Sequence, residues 1–305
     1  QAGCAEQVIP VPLFAELGGY GPFLGRRCLE VRDPLCCRVL TVNDGTRRNA
    51  IIVTDTIASD ELQCRLLRME LATAFGLFPE SIMFVATHTH SAPGVAGCDV
   101  GYGEASPEFT ASWRSAVKQA FREALSNEEP VRAEAGCAPI RKPLGARRTA
   151  GSDCRTDPAI RWVRLLRADG SCKVLLHNHA MHGVTIGAQR FASADWMGAA
   201  NAEIKRRKLA EIPFFLYGTA GDINVIWTDE KGEAVPIEQL GPQTRKAAER
   251  NLEWISQSYV DDLEANLGAG AEIALAPVGA NLAATEFPTE PVDGDTYREI
   301  GRAHV

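Results

Sequence analysis

Histidine is scarce in this chain, with six in 305 residues. The nine cysteines (Cys4, Cys28, Cys36, Cys37, Cys64, Cys98, Cys137, Cys154 and Cys172) include no CxxC pair, which excludes a thiolate zinc knuckle. Their odd number and the length of the chain argue against a disulfide scaffold. They read as reduced thiols, and the expected compartment is the cytoplasm. No apolar run approaches the roughly 18–20 residues that span a bilayer, so a transmembrane helix is excluded. Positive charge is in deficit, 32 Lys and Arg against 39 Asp and Glu, and it is scattered. That excludes a nucleic-acid footprint. Internal repeats and low-complexity segments are also missing. What remains is 45% hydrophobic and 23% charged, enough to bury the core of one large domain.

The pattern alternates short apolar runs with longer amphipathic ones and predicts a mixed α/β chain. "CRVLTV" (37–42) and "AIIVTD" (50–55) flank the turn "NDGTRRN" and read as a hairpin. A helix is expected over 59–76, with Leu62, Leu66, Met69 and Leu71 near helical spacing, Ser59 as its cap and Gly76 as its end. "SIMFVAT" (81–87) reads as a buried strand, followed by a glycine-rich loop over 94–104. A helix is expected at 107–126, where Pro107 suits a first turn. Strands are expected at 131–138, 159–166, 172–178 and from 213 into a turn ending at 225. Further helices follow near 196–209 and 242–267. A break near 140–155 is conceivable, but no linker composition marks it.

The last seven residues, "EIGRAHV" (299–305), match an in-frame translation of a common sequencing adapter. The expected domain is therefore residues 1–298, incomplete at its C-terminus and at an N-terminus that begins with Gln1, with 299–305 as artefact. Setting His304 aside leaves five histidines in two tight clusters: His88 and His90 in "THTH", and His177, His179 and His182 in "HNHAMH". Each cluster sits where an apolar strand meets a loop, and ligands of α/β sheets collect at the carboxyl ends of strands. In a strand, residues i and i+2 share a side, so His88 can approach one ion with His90. A metal-bound imidazole orients its other nitrogen with an acceptor, for which Asp55, Asp195 and Asp222 are candidates. The alternative stands beside this one. A His-x-His pair also suits a hydrogen-bonded strand end, His177 suits packing, and the three aspartates suit turns or helix caps.

"ATHTHSAPG" resembles the "THTHSGPGG" motif of the neutral/alkaline (non-lysosomal) ceramidase family. "NHAMHGVTIG", "SADWMG", "FLYGTAGDINV" and the opening "ELGGYGPFLGRRCLEVRDPLCCRVLTVNDG" resemble family segments in the same order, covering residues 2–285. The resemblance implies a mixed β-sheet with flanking helices and a zinc site at the C-terminal ends of strands. It implies a zinc-dependent hydrolase that cleaves an amide of a small-molecule or lipid N-acyl substrate by a metal-activated water. His88 and His182 match zinc ligands, and His90 matches a histidine close to the bound substrate or metal. Arg147 falls where the family places a substrate-binding arginine, with Ala146 in place of the usual Asn. The family's "GDVSPN" turn reads "GDINV" here, so Asn224 replaces a serine with a catalytic role. Asn cannot act as a nucleophile but can donate to an oxyanion. His90 or Asp222 can serve the leaving amine, and Gly94 opens a loop that borders the substrate. The family's Glu and Tyr zinc ligands have no match, which the expected truncation explains. An esterase on the same scaffold and a non-catalytic paralogue are the competing classes.

Overall fold

The computed structural model describes residues 1–21, 25–95, 103–147, 156–228, 234–235, 244–277 and 279–280. Most of the glycine-rich loop, residues 148–155 of the suspected break, and the tail 299–305 lie outside the described residues.

Alternation along the strands sets the architecture. The strands β1 (Ala2–Ile9), β3 (Leu35–Asn43), β4 (Arg48–Thr54) and β5 (Ile82–Ala86) form one sheet in the order β1-β3-β4-β5. Its β4–β5 pair is parallel and the other pairs are antiparallel. A second sheet has the order β11-β9-β8-β6-β15, built from β6 (Arg132–Pro139), β8 (Ala159–Leu166), β9 (Cys172–His179), β11 (Ile212–Tyr217) and β15 (Ala271–Ile273). Here only β9 and β11 run parallel. Three short pairs join β2 (Glu30–Val31) to β10 (Phe191–Ala192), β7 (Gly145–Arg147) to β12 (Ile223–Val225), and β13 (Trp227–Thr228) to β14 (Ala234–Val235).

Neighbouring residues of one strand enter different cores, as the two-residue period requires. Leu40, Val53, Val174 and Phe214 meet between the two sheets. Val39 and Ile52 face outward against Leu67 and Leu71 of α1 (Glu61–Phe75) and Trp113, Val117 and Phe121 of α2 (Pro107–Ser126). Leu175 and Phe215 face outward against Trp196 and Ile204 of α3 (Asp195–Arg206) and Leu252, Ile255 and Tyr259 of α4 (Arg245–Asn266). The result is a mixed α/β arrangement in layers: helices, sheet, sheet, helices. Strands covered on both sides read as continuous apolar runs, which is why 35–41 is buried throughout.

Local chemistry fixes most helix ends. Gly76 closes α1 in the left-handed region at φ 67°. Ser106 and Thr244 cap α2 and α4. Two details differ from the expectation. Asp60, not Ser59, caps α1, because its carboxylate reaches the Gln63 N–H. The buried face of α1 is Cys64, Leu67, Leu71 and Ala72, while Leu62, Leu66 and Met69 are about half exposed. Helical spacing alone does not say which of two apolar stripes a sheet will cover.

Gly3 lets α2 rest on β1. A Cβ there would lie 1.8 Å from the Ala124 carbonyl oxygen, which is backbone and cannot swing aside. Gly3→Ala is expected to destabilise the chain by about 1–3 kcal/mol, the range for overpacking, measured by urea unfolding. An unchanged midpoint would contradict this close approach.

Candidate metal centre

The two parallel strand pairs point their carboxyl ends at one place. His88 lies two residues past β5, and its N–H donates to Thr56 O, just past β4, at 3.0 Å. His182 lies three residues past β9, and its N–H donates to Ile223 O at 2.9 Å. The two loops lace together through a Thr89–Gly183 bridge and the bond from His90 N–H to Gly183 O at 3.1 Å. The pleat does not align His88 and His90, since both lie beyond the strand. A turn at His88, held left-handed at φ 67°, brings the rings together. Such a conformation is uncommon for a residue with a side chain and is found at functional sites.

The rings converge through Nε2. His88 Nε2 lies 3.2 Å from His182 Nε2 and 3.3 Å from His90 Nε2. His88, His90 and His182 form a group whose ligand nitrogens all lie within 4.8 Å of one another. A tetrahedral ion at the usual zinc–nitrogen distance of about 2.0–2.1 Å needs nitrogens about 3.3–3.4 Å apart. Two of the three pairs lie close to that spacing, and the group as a whole could hold one metal ion. Burial, and then the neighbouring His88 and His182, holds His90 well below the ordinary imidazole range. Neutral imidazole is the ligand form.

Carbonyls orient two of the rings. His88 Nδ1 bonds Ile57 O at 2.6 Å, and His182 Nδ1 bonds Ala220 O at 2.7 Å. With Nδ1 committed as a donor, each Nε2 is the ring's lone-pair nitrogen. This differs from the expected carboxylate acceptors. Asp55 is fully buried, and it takes Arg38 and the Cys36 N–H instead, because a buried carboxylate needs a charged or multiple partner. Asp195 turns to the first turn of α3, accepting from the N–H groups of Thr185, Ile186 and Trp196. Burial still pushes it up to about 6. Asp222 bonds Arg147 Nε at 2.6 Å. Asp55 and Asp222 are thus held by arginines, and only Asp195 takes the turn and cap role left open by the sequence; Trp196 beside it donates from Nε1 to His182 O at 3.0 Å.

The remaining residues fall on the surrounding frame. Ala220 and Ile223 both touch His182, so the turn carrying Asp222 is tied to it on either side. Asn224 pairs with Ala146 and Ile223 with Arg147 in the β7–β12 ladder. Gly94 is buried and bridges Ala105. His177 stands apart, as its packing alternative foresaw. Its Nε2 donates to Asn201 Oδ1 at 2.8 Å, and its Nδ1 accepts from Tyr259 OH at 3.0 Å. Sequence reasoning missed Tyr217, whose ring is 4.8 Å from His88, and Tyr20, whose ring is 5.2 Å from His90. Both end quoted segments ("FLYG", "GGYG"), but nothing local marks an aromatic as a wall of a site.

No family model matches this chain, and no curated protein aligns with it. Its fold is nonetheless ceramidase-like. The crystal structure of neutral ceramidase from Pseudomonas aeruginosa matches with a TM-score of 0.73 over 87% of this chain, at 16% identity. A ceramidase complexed with C2 matches with a TM-score of 0.71, again over 87% at 16% identity. The chain spans 44% and 43% of those two chains, less than half their length. At such identity the likeness is one of fold.

Burial lowers His177 to about 4. Between the unfolded imidazole value, near 6.5, and 4, the unfolded chain takes a proton that the folded chain refuses. Stability from this group therefore falls as pH drops through that window, by about 3 kcal/mol in all. In denaturant unfolding, the advantage of the wild type over His177→Gln should shrink by that amount from pH 7 to pH 4. A pH-independent gap would contradict a buried neutral His177.

Proposed function

We propose that this chain is the metal-binding part of a zinc-dependent hydrolase that cleaves the amide bond of a small-molecule or lipid N-acyl substrate. The observation that carries this reading is the convergence of three imidazoles on a ceramidase-like fold, with His88 Nε2 at 3.2 and 3.3 Å from those of His182 and His90. A bound divalent ion supplies a polarised carbonyl and a water acidic enough to ionise near neutral pH.

The chain's own groups do the rest. His88 and His182 present Nε2 because their Nδ1 atoms are committed to carbonyls. His90, neutral and buried, adds a third nitrogen beside them, within the role close to substrate or metal that its motif implies. Arg147 and Asn224, on the adjoining ladder, donate to the oxyanion that forms at the attacked carbonyl. Asp222 takes the proton released by the attacking water and passes it to the leaving amine, and its bond to Arg147 keeps it in place between the two transfers. The free cysteines, Cys4, Cys28, Cys36, Cys37 and Cys64 among them, fit a reducing compartment. Among the described residues no helix is long and apolar enough to cross a membrane, so a lipid substrate would be met at a surface.

Metal analysis of the purified chain should find zinc, and His88→Ala, His90→Ala and His182→Ala should each weaken it. The loss should exceed the roughly 10–100-fold that follows removal of a mere orienting partner. Unchanged metal content in all three variants would end this reading. A panel of N-acyl amides and matched acyl esters tests the bond: amidase activity, abolished by a chelator and restored by zinc, is expected. An esterase with no amidase activity would move the assignment to the competing hydrolase class.

A further inference from the structure

The three imidazoles are not held alike. His88 and His182 each have a carbonyl at Nδ1. His90 Nδ1 is buried and has no hydrogen bond of standard geometry; the Gly19 main chain beside the ring is its polar neighbour. Its ring must therefore be set by packing and by its own main chain. Gly19, at φ 105°, passes so close that a Cβ there would lie 2.6 Å from His90 Cγ. The edge of Tyr20 stands 5.2 Å away.

One side chain holds both of these elements. Arg26 is only 6% exposed. Its Nη2 donates to His90 O at 2.5 Å and to Gly18 O at 3.0 Å, and its Nη1 donates to Gln189 O. Its guanidinium also lies over the Tyr20 ring, 4.9 Å from the centroid. All of these hydrogen bonds go to main-chain carbonyls, from three separate segments. A buried guanidinium is expensive, and its planar fork suits several acceptors at fixed angles, which a lysine ammonium does not reproduce.

We propose that Arg26 is the positioning residue for His90. It fixes the main chain of His90 and the Gly18–Tyr20 wall against the ring, and so does by a clamp what a carbonyl does for the other two imidazoles. Its metal consequence rests on the proposed reading of the three histidines as one ligand set. Its effect on the ring does not.

The test uses Arg26→Lys and Arg26→Met in the full chain. Two-bond proton–nitrogen NMR of the metal-free protein should show the His90 ring signals shifted or broadened in both variants. The His88 and His182 signals should stay in place, and lysine should not rescue. Cobalt titration should then show affinity lowered about tenfold or more, the scale of losing an outer-shell partner, with an altered visible spectrum. Unmoved His90 signals in a folded variant would overturn the proposal, and so would equal shifts in all three rings. If both variants fail to fold, Arg26 serves the fold and the proposal also falls. A wild type that takes up no cobalt would defeat the metal reading alone, since the ring signals still decide the role of Arg26.

Discussion

The apolar contact between the two sheets is the constraint on which the rest depends. Leu40 and Val53 on one side meet Val174, Ile212 and Phe214 on the other. This layer has no polar partners to satisfy, and it is fixed by the non-directional gain of removing such side chains from water, about 25 cal/mol per Å². It sets the depth at which β5 and β9 end. His88 and His182 are 94 residues apart in the chain, yet their nitrogens lie 3.2 Å apart because of it. Helices on both outer faces then bury the second side of each strand, and the loops at the carboxyl ends are left to carry chemistry.

Polar groups around those loops are arranged by the same economy of burial. Arg38 and Asp55 pair, and the loop that leaves Asp55 delivers the Ile57 carbonyl to His88. Asp33 accepts from Ser193 Oγ and Ala194 N–H at the start of α3, while Thr89 Oγ1 donates to Ser193 O. The loop with His88 and His90 is therefore pinned to the first turn of the helix whose Trp196 holds the His182 carbonyl. His88 and Asp195 both sit in left-handed backbone, φ 67° and 52°, at the two ends of this network. Strain of that kind persists only where surrounding bonds over-determine it.

The likeness to solved ceramidase structures lies at the level of this layered frame, at 16% identity. Two departures from the motifs that the sequence resembles, Ala146 and Asn224, face each other in the β7–β12 ladder. The turn leading into β12 is anchored to His182 through Ala220 and Ile223. A change of chemistry there leaves the imidazole group intact, because the anchors are main-chain carbonyls and do not depend on the side chain at 224.

Local signals were legible where local physics decides. Pro107 marks the start of α2, Gly76 marks the end of α1, and the run 159–166 is a strand at its expected bounds. The clustering of histidines at strand ends was equally plain. The sequence alone determined the four long helices, most of the longer strands and which loops carry the unusual residues, because period, capping and turn chemistry act within a few residues, while the strand β1 (Ala2–Ile9) was not expected from it. It could not determine which stripe of α1 is buried, that carbonyls rather than Asp55, Asp195 or Asp222 orient the imidazoles, or that Tyr20, Arg26 and Tyr217 surround them. Every residue carries a carbonyl, so no residue type announces that acceptor. Only the packing of one sheet on the other, a sum of contacts between distant segments, brings those groups within bonding distance.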